Sequence, residues 1–76
     1  MKPEVVMIGL GYIGLPTAAL IASNKVNVFG VDINPNVVET INRGEIHIVE
    51  PELDSAVASA VKNGFLKAGL KAQEAN

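Results

Sequence analysis

Val5-Val6-Met7-Ile8-Gly9-Leu10-Gly11-Tyr12-Ile13-Gly14-Leu15-Pro16 is the stretch that decides the fold of this 76-residue chain. Val5 to Ile8 is apolar at every position, the pattern of a central parallel strand covered on both faces. The glycines that follow mark a tight turn, and Leu15 to Ser23 reads as a helix. A second apolar run, Val26 to Val31, ends at Asp32. Strand, glycine turn, helix, strand and terminal acid, in that order, form the fingerprint of a dinucleotide-binding unit within an α/β fold.

Each element of that fingerprint has a physical task. Gly9 permits a sharp turn out of the first strand, where a side chain would clash. Gly11, without a β-carbon, lets the backbone and its N–H groups approach a pyrophosphate at a helix N-terminus whose partial positive charge favours anions. Gly14 lets the helix and the strand touch. Asp32, at the carboxyl end of the second strand, is placed to accept hydrogen bonds from both hydroxyls of an adenosine ribose and to repel a 2′-phosphate. Ile33 and Asn34 supply no Arg to receive such a phosphate, so the expected cofactor is NAD and not NADP.

The competing reading is a membrane segment or signal peptide, because Val5 to Ser23 carries no charged residue and Lys2 precedes it. Three glycines and Pro16 would interrupt such a helix, Glu4 spoils a positive leader, and the Val26–Val31 run would have no explanation. Composition narrows the field further. A formal charge of −2 without a basic cluster implies neither nucleic acid nor an anionic membrane surface as partner. Without cysteine there are no disulfides and no thiolate metal sites, and His47, the only histidine, cannot assemble a zinc site alone.

Beyond the second strand, Asn34-Pro35 has the form of an N-cap followed by proline at N1. Val37, Val38 and Ile41 then mark a short helix stopped near Gly44. Glu45 to Val49 is a connector. A second proline-started helix is expected from Pro51, with Leu53, Ala56, Val57, Ala60 and Val61 on one face. Gly64 fits a left-handed C-terminal cap onto which Phe65 folds back. Phe65 to Ala68 is expected as a short edge strand and Lys71 to Ala75 as a turn of helix. The first helix is apolar almost all round, with Leu15, Ala18, Ala19 and Ala22 on one face and Leu20 and Ile21 beside it, and it is expected to be buried.

The glycine turn, together with Val31-Asp32-Ile33-Asn34, Ile41-Asn42-Arg43-Gly44 and Glu50-Pro51, resembles the N-terminus of the UDP-glucose/GDP-mannose dehydrogenase family. The segment from Thr40 to Pro51, and then Phe65-Leu66-Lys67-Ala68, is most similar to the branch that acts on UDP-N-acetylmannosamine. The resemblance implies a cytoplasmic bacterial oxidoreductase that takes a sugar-nucleotide alcohol to the uronic acid in two hydride transfers to NAD, for polysaccharide synthesis. It carries over Gly9, Gly11 and Gly14 as the turn, Tyr12 and Ile13 as backbone donors near the pyrophosphate, and Asp32 on the ribose. It assigns no catalytic and no metal-binding residue to these 76 positions.

Two departures matter. Some family members place a Lys five residues after the acid, where this chain has Val37. The family also oxidises its aldehyde intermediate through a thiolate, and this chain has no cysteine, so these residues alone are expected not to catalyse the reaction. The resemblance further implies that relatives continue, after a segment matching Glu74-Ala75-Asn76, into another apolar strand of the sheet. Residues 1–76 are then a single but incomplete Rossmann-type unit, a parallel sheet with flanking helices cut before its next strand. Val5 to Ile8 would be left as an unpaired apolar edge, and self-association is the expected consequence. A noncatalytic NAD-binding or regulatory module, or a fragment without activity of its own, is the alternative, since the same unit serves several functions. His47, Arg43 and Glu45 have the ordinary reading of surface residues, Glu50-Pro51 that of a helix start, and Tyr12 either packs on the turn or lies beside the phosphates.

Overall fold

The computed structural model describes residues 2–75 and contains a three-stranded parallel sheet with helices between its strands. Strands β1 (Val5–Ile8), β2 (Val28–Val31) and β3 (Leu66–Gly69) lie in the order β1-β2-β3. Helix α1 (Gly14–Ser23) connects β1 to β2, and helices α2 (Pro35–Asn42) and α3 (Leu53–Lys62) connect β2 to β3. Met1 and Asn76 lie outside the described residues, so the expectation attached to Asn76 has no structural counterpart.

Side chains alternate across a strand, and the register therefore sorts the sheet into two faces. Val5, Val28 and Leu66 form one rank and Met7, Gly30 and Ala68 another, all on the same face. That face meets Leu15, Ala18 and Ala22 of α1, Ile41 of α2, and Leu53 and Val57 of α3 in a continuous buried core. The opposite face carries Val6, Phe29 and Lys67, then Ile8, Val31 and Gly69. There, among the described residues, Phe29 and Val31 form a small buried cluster with Ala75 of the 3-10 turn Ala72–Ala75.

This one-sided packing corrects two expectations. β1 is not covered on both faces: Ile8 is 72% and Val6 42% exposed, while Val5 and Met7 are half-buried on the core side. α1 buries the face Leu15, Ala18, Ala19 and Ala22 as expected, yet Leu20 is 66% exposed. The helices share a single layer, and among the described residues the stretch 50–53 borders Leu20 on the outer side of α1, across an open groove. The apolar run read as a possible membrane helix is broken into strand, turn and a ten-residue helix. No described helix is long and apolar enough to cross a membrane.

The local signals act largely as expected. The Asn34 side chain accepts a hydrogen bond from the Asn36 N–H (2.9 Å), with Pro35 opening α2. Gly64 adopts φ +82°, and the Phe65 N–H donates to the Ala60 carbonyl (2.9 Å), closing α3. The start of α3 differs. Glu52 takes a left-handed φ of 66°, Leu53 N–H donates to the Glu50 carbonyl (3.2 Å), and the helix begins at Leu53, with Pro51 in the preceding turn. β2 likewise begins at Val28 and not at Val26, because its ladder to β3 opens with Val28 N–H donating to the Phe65 carbonyl (2.8 Å).

A feature not visible from local sequence seals the far side of the sheet. The Asn42 side chain, at the end of α2, accepts from the Ala68 N–H (2.8 Å) and donates to the Ala68 carbonyl (2.9 Å). One amide thus satisfies both of the main-chain groups that Ala68 turns away from β2.

Candidate functional site

The site forms where the carboxyl ends of β1 and β2 meet the N-terminus of α1. Gly9 leaves β1 with φ +89°, and its N–H donates to the Val31 carbonyl (2.7 Å), the last rung before the chain turns away. Gly14, the first residue of α1, stands so close to that turn that a β-carbon on it would lie 1.8 Å from the Gly9 carbonyl oxygen. No side chain fits there, so glycine at this position is set by the protein's own backbone.

Gly11 presents the opposite case. A β-carbon there would meet nothing within 4 Å, and its φ lies outside the left-handed range. The fold itself does not require glycine at 11, where a β-carbon would stand in open space. Among the described residues, the N–H groups of Gly11, Tyr12, Ile13 and Gly14 have no protein acceptor. Gly11 instead uses its carbonyl, which accepts from Leu15 N–H (3.0 Å). Four consecutive donors at a helix N-terminus form an anion-binding arrangement. Tyr12 (72% exposed) and Ile13 (83% exposed) have largely solvent-exposed side chains, so what they present at the turn's core is their backbone N–H groups.

Asp32 faces this turn. Its Oδ2 accepts from the Leu10 N–H (3.0 Å) and its Oδ1 from the Asn34 N–H (3.0 Å), while its own N–H donates to the Gly69 carbonyl (3.1 Å). Each carboxylate oxygen keeps a further lone-pair site for a ligand hydroxyl. The Asn34 hydrogen bond is the main cause holding the Asp32 carboxyl below its usual range; burial opposes it, and the Leu10 N–H and the nearby His47 assist. Ile8, Gly9, Val31, Asp32 and Ile33 line a shallow groove at this spot, with Ile33 92% exposed. All six residues expected at a cofactor are brought to one end of the sheet: Gly9, Gly11, Tyr12, Ile13, Gly14 and Asp32.

Two contributors escaped the sequence reading. Leu10 carries no chemical signal of its own within the glycine pattern, but its N–H donates to the acid and its side chain is completely buried. Asn34 reads as a helix cap, and its N–H also donates to Asp32 Oδ1; an acid two residues before it is the usual signal of a side chain closing on its own backbone. Arg43 and Glu45 form an exposed ion pair (3.4 Å).

A glycine turn donating free N–H groups, a helix N-terminus behind it and an acid on the adjacent parallel strand define a dinucleotide-binding α/β unit. The sequence model of the UDP-glucose/GDP-mannose dehydrogenase family, NAD binding domain, matches residues 3–76, and the chain belongs to that family. It is 59% identical over 73 residues to UDP-N-acetyl-D-mannosamine dehydrogenase of Campylobacter jejuni, covering 96% of this chain and 18% of that protein. With the Escherichia coli K12 protein of the same name it shares 63% over 70 residues, 92% of this chain and 17% of the relative. Among solved structures, GDP-mannose dehydrogenase of Pseudomonas aeruginosa in a ternary complex superposes with a TM-score of 0.90 at 29% identity, over 99% of this chain and 17% of that one. UDP-D-ManNAc dehydrogenase of Pyrococcus horikoshii gives 0.87 at 41%, over 92% and 17%. The chain therefore spans less than a fifth of the length of these relatives.

Proposed function

We propose that residues 1–76 act as one incomplete NAD-binding unit, the N-terminal part of a dehydrogenase that oxidises UDP-N-acetylmannosamine to its uronic acid in the cytoplasm. The carrying observation is the Asp32 carboxylate held against the glycine turn beside four free N–H groups. In this reading the Gly11–Gly14 amides take the pyrophosphate, Gly9 and Gly14 shape the turn, and Asp32 grips the adenosine ribose. Support for the substrate comes from the likeness to UDP-N-acetyl-D-mannosamine dehydrogenases over most of the chain. The sugar and the thiolate chemistry would fall to residues outside these 76, because this chain has no cysteine. A second copy is the expected partner of the open β1 edge in the 76-residue chain, with no nucleic acid or membrane surface involved.

Titration with NAD and NADP of the wild type and of Asp32→Ala tests the reading. Removing the charged acceptor should weaken NAD by about 1.5–3 kcal/mol, the worth of hydrogen bonds to an ionised group, and narrow the preference over NADP. Unchanged NAD affinity in Asp32→Ala rejects the ribose role.

A further inference from the structure

Leu10 has two jobs at once. Its N–H donates to Asp32 Oδ2 (3.0 Å), and its side chain, fully buried, belongs to the same core cluster as Leu15, Val28 and Ile41. That side chain lies over Gly30, two residues before Asp32 on β2. A β-carbon at 30 would stand 2.6 and 2.8 Å from the two Leu10 methyls and 3.2 Å from its Cγ. Gly30 has no positive φ to explain its glycine, so the close approach of Leu10 is what the position accommodates. With no exposure, the isobutyl group has no solvent to swing into. A methyl at 30 would therefore be relieved by displacing Leu10, and with it the N–H that holds the acid.

We infer that Gly30 is a positioning residue for the cofactor: the gap above it seats Leu10, and the seated Leu10 aims the Asp32 carboxylate at the ribose. This rests on Asp32 being the ribose acceptor. The aim of the acid is thereby tied to core packing beneath the turn, and a substitution that never touches the ligand alters its affinity.

The test uses Gly30→Ala and reads the Asp32 carboxyl titration by carbon-13 NMR and exchange of the Leu10 amide, with Val57 in α3 as the reference. Asp32 should titrate at higher pH than in the wild type. The Leu10 amide should exchange roughly tenfold faster relative to Val57, and NAD should bind roughly tenfold more weakly, as loss of one charge-assisted hydrogen bond entails. Combining Gly30→Ala with Leu10→Val, which makes room for the methyl, should restore the Asp32 titration towards wild type. Unchanged Asp32 titration and Leu10 exchange in Gly30→Ala, or no restoration in the double variant, overturns the inference. Should Gly30→Ala not fold, Leu10→Ala removes the seated group while keeping the N–H. It should shift the Asp32 titration the same way, and an unshifted titration overturns the proposal equally. Neither NMR readout involves NAD, so an inert ribose role for Asp32 would show separately, in the Asp32→Ala titration.

Discussion

The two edges of this sheet are built differently. On the β3 side, Asn42 occupies both outward main-chain groups of Ala68, and the Glu74 carboxylate accepts the N–H groups of Leu70 and Lys71. On the β1 side, no described element lies alongside, and Val6 and Ile8 are exposed. A sheet edge with free main-chain groups templates further pairing, and side chains that occupy those groups prevent it. The contrast teaches where, among the described residues, the sheet is closed and where it is open. It also places the glycine turn, which emerges from β1, at the open side.

The largest expected effect comes from the turn at that open side. Gly14→Ala sets a methyl against the Gly9 carbonyl, so turn and helix must separate; a loss of about 3 kcal/mol in urea unfolding is expected, together with loss of NAD binding. Gly11→Ala is the control, since its methyl meets no protein atom. It should change stability by less than about 1 kcal/mol and still abolish binding if the pyrophosphate lies there. Equal destabilisation by the two substitutions would break the distinction between a glycine set by the fold and one set by the ligand.

Next in size is Asn42→Ala. It strips two hydrogen bonds from Ala68, itself buried, and should cost about 1–2 kcal/mol. It also makes the β3 edge resemble the β1 edge. Sedimentation should then show more self-association than in the wild type, and an unchanged association state would mean that Asn42 does not guard that edge. A smaller effect on stability, within about 0.5 kcal/mol, is expected for Val6→Lys, whose charge lies on the exposed face of β1. If the open edge drives association, this variant should be more monomeric; equal association would remove β1 as its seat.

These particulars show what a local reading can reach. The turn, the acid and the helix caps were legible because each is encoded within a few residues: Gly9 to Gly14, Asn34-Pro35, Gly64. The job of Asn42 is not legible in the sequence, since its partner Ala68 lies 26 residues on and only the packing of the end of α2 against β3 brings them together. Leu10 and Gly30 were missed for the same reason: their contact crosses from the β1 turn to β2. Among the described residues β1 and α1 are less buried than their apolar sequence suggests, because hydrophobicity marks what can be covered and not what covers it. At Pro51, the proline signal was overridden by the left-handed Glu52, which moves the helix start to Leu53.

Acid supplies the smallest perturbation and addresses the junction of the open edge with the site. The folded Asp32 carboxyl lies below its ordinary value of 3.8, first because the Asn34 N–H binds the ionised form, and then because Leu10 and His47 favour it against burial. A depressed folded value means that the unfolded chain binds the proton more readily. The ionised acid therefore contributes stability that is fully present above the unfolded value and is lost as pH falls through the folded one. Urea midpoints followed downward from pH 5 should thus decline less steeply below about pH 4 in Asp32→Asn, which cannot titrate, than in the wild type. NAD affinity in the wild type should fall over the same range, because a protonated acid accepts the ribose hydroxyls less well. Parallel acid profiles for the two proteins would show that the carboxylate is not held by its two main-chain donors, and would detach the turn from the strand beside it.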